Sequence, residues 1–236
     1  MDKETKELVL ANRLYVWSLI ARGFAEEPDG MFLGALQNEH ARAEVALIED
    51  EWSSSLSSAL EALADFARAP EARTVACDQF TRVFVGPGTL AASPWETMHT
   101  SGKRVLFHRD VLSVRDTYRQ AGFLPERYRH VADDAIGLEC DFMAKLAERA
   151  VMTQGKGEEV RCNDTLQRSC AFLSDHLQRW IGSLAEAIEL HYGADNFYAR
   201  LARFTEVWCR RDRRLLTILL SEADLEKGLE KEEPLL

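Results

Sequence analysis

Apolar residues recur every three or four positions over most of this chain, the spacing of helices with one buried face. From about Glu7 to Phe24 the stripe is Leu10, Leu14, Trp17 and Ile20 or Ala21, closed by Gly23 and Pro28. Short helices are predicted around Met31–Leu36 and His40–Ile48. From Trp52 to Arg68, Leu56, Leu60, Leu63 and Ala67 share a face. Pro70 breaks that run and opens the next, which carries Phe80 and Phe84 as an i, i+4 pair before Gly86. Later helices are predicted over Arg109–Ala121, with Gly122 as its left-handed cap, and from Asp133 or Asp134 to about Gln154. Two more fit Asp164–Trp180 with its continuation to Tyr192, and Asp195–Leu220, before an acidic tail that should fray. No stretch alternates with period two for long enough to need a strand. The predicted fold is all-α, a compact bundle of about ten helices with one long central loop. We read residues 1–236 as a single all-helical domain, with a hinge near 155–159 where the charged GKGEE stretch interrupts the pattern.

The central loop is the exception to the helical rhythm. It follows Phe80 and Phe84 and runs through GPGTLAASPWETMHTSGKRVLF to Phe107. A loop this long inside a helical domain is usually functional or disordered. Its Trp and Phe content argues against disorder, so it is expected to line a binding surface. Trp95, after Pro94, reads in two ways: a plug over the core, or, with Phe84 and Phe107, part of an apolar groove for an amphipathic or apolar peptide segment.

Charge narrows the partners. Lys plus Arg number 29 and Asp plus Glu 39, a formal net charge of −10. That balance disfavours nucleic acid, which needs clustered cations, and favours a cationic partner. The N-terminus lacks the pattern of an export signal, and no run approaches the ~18 apolar residues of a span, so no stable membrane insertion is expected. Five cysteines with no CxxC suggest a reduced, cytoplasmic protein in which each is a small core residue.

The helix from Asp133 carries the remaining chemistry. Ala135, Leu138, Phe142 and Leu146 fall on one arc, opposite Asp134, Asp141, Lys145 and Glu148. Glu139 falls inside the apolar arc, where a carboxylate must be paired. It either ties the helix to the loop as a buried structural carboxylate or contacts a ligand. Asp133 and Asp134 suit a helix N-cap, and two side by side leave one carboxylate to meet a cation. His130, Asp133, Asp134 and Cys140 match no standard zinc or di-metal spacing. There is no nucleophile signature, and Gly86-Pro87-Gly88 reads as a tight turn, not a phosphate loop. No catalytic residue, metal or cofactor is therefore expected, and the chain is read as a non-enzyme.

These motifs resemble the TorD/DmsD family of redox-enzyme maturation chaperones. The resemblance rests on FTRVFVGPGTLAASPWETMH, then VLF and VRDTYRQAGF, on ADDAIGLECDFMAKL, and on FLSDHLQRWIGSLAEAIE with FYARLARFTEVW. It spans about Leu8 to Arg211. It implies an all-helical cytoplasmic chaperone for molybdopterin-containing oxidoreductases, which binds the twin-arginine signal peptide of its client, the client body, or both, and delays export until the cofactor is inserted. The family's peptide-binding region carries over as Val83, Phe84, Pro94, Trp95 and Asp133. Asp134 stands where many relatives have His, and Ser93 where many have a second proline, so a role for that histidine does not transfer. The physics is consistent: an apolar groove ending in carboxylates complements two guanidiniums followed by an apolar segment. Phe84, Trp95 and Phe107 are expected to hold the apolar part, with Asp133 and Asp134, joined by Glu96, facing the arginines. The resemblance leaves two alternatives: a chaperone of the client body alone, and a weak guanine-nucleotide binder. A monomer or a dimer that exchanges C-terminal helices would each be compatible with the hinge.

Overall fold

The structure, a computed structural model, describes residues 1–86, 90–101, 109–124 and 132–229. Among these residues it is all-α. The helices are α1 (Lys3–Ala25), α2 (Gly30–Gln37), α3 (Glu39–Ala46), α4 (Ser53–Ala67), α5 (Ala72–Phe80), α6 (Glu96–Thr100), α7 (Arg109–Gln120), α8 (Ile136–Gly155), α9 (Glu159–Asp175), α10 (Leu177–Tyr192) and α11 (Phe197–Leu229). A π-helical turn, Thr81–Val85, extends α5.

Local chemistry sets several of these ends. Asp2 caps α1 by accepting from the Thr5 amide at 2.7 Å, and Asp29 caps α2 by accepting from the Phe32 amide at 2.8 Å. Gly122, at φ 68°, closes α7 as the sequence predicts, with Phe123 N donating to Tyr118 O and Gly122 N to Arg119 O. At the expected hinge, α8 ends in the same arrangement. Glu158 N donates to Thr153 O at 2.9 Å and Gly157 N to Gln154 O at 3.0 Å, so α8 turns directly into α9.

The core forms where α1 lies along α8, with α11 packed on α10, α4 and α9. Leu10, Val16, Trp17 and Ile20 of α1 meet the buried face of α8, which includes Cys140, Met143, Ala147 and Ala150. Buried charge joins the chain's two ends. Asp212 of α11, fully buried, accepts from Trp17 Nε1 at 2.8 Å and forms a bidentate pair with Arg13 of α1.

Four details differ from expectation. The central loop contains a helix, α6, whose five residues are too few to show a period. The expected helix over 164–192 is two, broken at His176, whose φ −123° and ψ −95° are not helical. The last helix runs to Leu229, beyond Leu220. Neither Asp133 nor Asp134 caps α8: its cap position is Ala135, with no side-chain bond, because both aspartates are engaged elsewhere.

Candidate functional site

An open groove of about 1750 Å³ runs along α8. One end is aromatic. Phe84, in the π turn, packs edge-on against Phe80 at 5.4 Å, Phe24 at 6.1 Å and Tyr198 at 4.8 Å between ring centres. Single π turns are common at functional sites because one extra residue redirects the side chains that follow. Here Val85 is left 61% exposed beside the half-buried Phe84.

The opposite wall is the segment through Pro94, Trp95, Thr97 and Met98, all on the groove lining. It is fastened to the residues before α8 as a short antiparallel bridge, Trp95 opposite Ala135. Glu96 N donates to Asp134 O at 3.0 Å and Ile136 N to Pro94 O at 2.9 Å. The Asp134 carboxylate then accepts from the Thr97 amide at 3.1 Å and the Thr97 hydroxyl at 2.8 Å. Asp134 therefore caps α6, across the bridge, instead of its own helix.

The floor is α8 itself. Leu138, Asp141, Lys145, Glu148 and Met152 line the groove at helical spacing. Leu138, expected on the buried arc, faces this side. At the head of the helix, Gly137 lets α1 and α8 meet: a Cβ there would lie 3.0 Å from Phe24 O. Carboxylates border this end of the lining, from Glu26, Asp134 and Asp141.

Of the residues singled out by the sequence, Phe84, Pro94, Trp95 and Asp134 lie together on the lining. Val83 is fully buried, within the core. Asp133 is 3% exposed; its carboxylate accepts from Arg115 Nε, and its carbonyl accepts from the Tyr118 hydroxyl at 3.0 Å. Glu96 is fully buried, with Oε2 2.9 Å from His176 Nδ1. Phe107 and His130 fall outside the described residues. Glu139 is fully buried and accepts from Trp180 Nε1 at 3.0 Å, while its Oε1 has no hydrogen-bond partner. Burial, and then the Glu96 charge, push its carboxyl well above the usual carboxylate range. Burial likewise raises the thiols of Cys140 and Cys209, and the described cysteines form no disulfide. No group of three or more His, Cys, Asp or Glu among the described residues is arranged to hold a metal. Phe24, Glu26, Gly137 and His176 carried no local signal in the sequence, since each matters only through distant partners.

The fold and the groove define an all-α protein with a cleft that is aromatic and acidic near the head of α8 and also lined by Lys145, Arg149, Lys156 and Arg161 further along. The chain belongs to the family described as nitrate reductase delta subunit, whose model matches residues 49–186. Its curated relatives are chaperones. "Chaperone protein TorD" of Vibrio cholerae is 23% identical over 163 residues, covering 69% of this chain and 72% of the relative. "Tat proofreading chaperone DmsD" of Salmonella typhimurium is 27% identical over 183 residues, covering 73% and 83%. "Probable Tat proofreading chaperone DmsD" of Haemophilus influenzae is 26% identical over 128 residues, covering 54% and 55%.

Proposed function

We propose that this protein is a maturation chaperone that binds the twin-arginine signal segment of a molybdopterin-containing oxidoreductase in the cytoplasm and holds back its export. The groove carries this reading. Phe84, Pro94, Trp95 and Met98 offer apolar surface, and Asp134, Asp141 and Glu26 border the same end. A segment with two guanidiniums followed by apolar residues matches both features. Phe84 and Trp95 are the direct contacts in this scheme, with buried Pro94 beside them and the charge of Asp134, 1% exposed at the lining, acting from beneath. Val83, Asp133 and Glu96 support them from behind. The names of the relatives point the same way, and no described helix is long and apolar enough to cross a membrane.

The test is calorimetric titration with a synthetic signal peptide and a copy with both arginines changed to Gln. Binding of the first, weakened about ten-fold or more in the second, is expected, as for loss of charge-assisted bonds. Equal binding of the two would remove the carboxylates from the recognition. No binding of either by the folded protein would move the function to the client body.

A further inference from the structure

Beneath the Trp95 wall lies a cluster that the groove never touches. Glu96, Glu139 and His176 are 0%, 0% and 5% exposed, and none is on the lining. Their chain neighbours are: Trp95 and Thr97 flank Glu96, and Leu138 precedes Glu139. Glu96 Oε2 meets His176 Nδ1 and Glu139 Oε2 accepts from Trp180 Nε1, while Oε1 of each glutamate is buried with no hydrogen-bond partner. A proton on Glu139 lets it donate to Glu96 and satisfies both Oε1 atoms at once. His99, also on α6, completes the attachment, with Nδ1 2.9 Å from Ser183 Oγ and its ring 5.3 Å from that of Trp180.

We propose that Glu96, Glu139 and His176 are positioning residues for the groove, and that a proton on Glu139, bridging it to Glu96, sets how firmly the Trp95 wall is held. The affinity part rests on the peptide-binding reading above; the positioning part does not. A five-residue helix has no stability of its own, so α6 keeps its place through these contacts and the Asp134 cap. Loss of the proton leaves Glu139 charged in a buried site beside Glu96, breaks that hydrogen bond and drives Glu96, with its neighbours, away from α8.

The surrounding groups favour the protonated form. Asp134 adds negative charge beside Glu139, and Glu139 in turn bears on Tyr118 of α7, Cys140 of α8 and Cys209 of α11. Asp133 faces Tyr118 from the same segment as Asp134. The sign follows. A carboxyl raised in the folded state holds a proton that the unfolded chain gives up above its ordinary value of 4.5. Its contribution therefore becomes less favourable as pH rises from there towards the folded-state value.

The experiment compares the wild-type chain with Glu139→Gln between about pH 6 and about pH 9. The amide keeps the Trp180 acceptor and donates to Glu96 permanently. The first readout is hydrogen exchange at the Glu96, Thr97 and Ser101 amides, corrected for intrinsic rates. The second is affinity for the synthetic twin-arginine peptide. In the wild type, protection falls with pH and Kd rises about three-fold or more. In Glu139→Gln both are flat, with Kd at neutral pH within about two-fold of wild type. Glu139→Ala, which restores neither bond, loses protection at every pH. Equal pH slopes of protection in wild type and Glu139→Gln overturn the proposal. Different slopes with no peptide binding at any pH leave the positioning standing and remove the signal-peptide reading. If Glu139→Gln does not fold, Glu96→Gln supplies the same hydrogen bond from the opposite side, and the same flattening is required of it.

Discussion

In the proposed function, single side chains in the groove divide into those assigned to meet the peptide and those that hold the wall, and substitutions separate the two. Trp95→Ala removes a half-exposed indole from the lining. Burying such a ring against a ligand is worth roughly 1.5–3 kcal/mol, so peptide affinity should fall about ten-fold or more in calorimetry. Asp134 serves both purposes. Asp134→Asn keeps an oxygen for the Thr97 amide and hydroxyl but removes the charge. Stability should hold within about 0.5 kcal/mol while peptide binding weakens and loses salt dependence. Asp134→Ala should in addition cost about 1–2 kcal/mol in urea unfolding, because the α6 cap is gone. At this scale the sequence was legible where chemistry is local. Phe84, Pro94 and Trp95 stand out by type and by their place beside a helix-breaking stretch. The target of Asp134 does not, because its acceptor role is directed across a bridge at an element 37 residues away.

Among the elements, periodicity predicted every helix long enough to show it. Failures came where fewer than about two turns exist, as in α6, or where a break has no Gly or Pro, as at His176 between Asp175 and Leu177. The meeting of α1 and α8 depends on the missing side chain of Gly137, whose added Cβ would sit 3.0 Å from a backbone oxygen that cannot rotate away. Gly137→Ala should therefore lower stability by about 1–3 kcal/mol, read as a drop in thermal midpoint, despite the better helix propensity of Ala. Peptide affinity should fall as well, since Phe24 moves with the end of α1.

For the molecule as a whole, the sequence revealed the class, the bundle and an apolar groove at Phe84 and Trp95, but not the course of that groove along α8. Its walls come from positions as distant as Phe24, Phe84, Trp95 and Met152, and no periodicity relates them. The Arg13–Asp212 pair likewise connects residues 199 apart. Asp212→Ala leaves a fully buried guanidinium uncompensated and should cost about 3–5 kcal/mol, measured as a shifted denaturation midpoint. The length of α8 along the groove has one more consequence. From Leu138 to Lys156 the groove follows a single helix, and at 1.5 Å per residue that course is about 27 Å long. It acts as a ruler. A ligand lying along it fits about eight residues if extended, or about eighteen if coiled as a helix. Trimming a bound segment inside that length should remove affinity stepwise, and lengthening it should add affinity only as far as Arg161, Asp164 and Thr165 of α9 continue the lining.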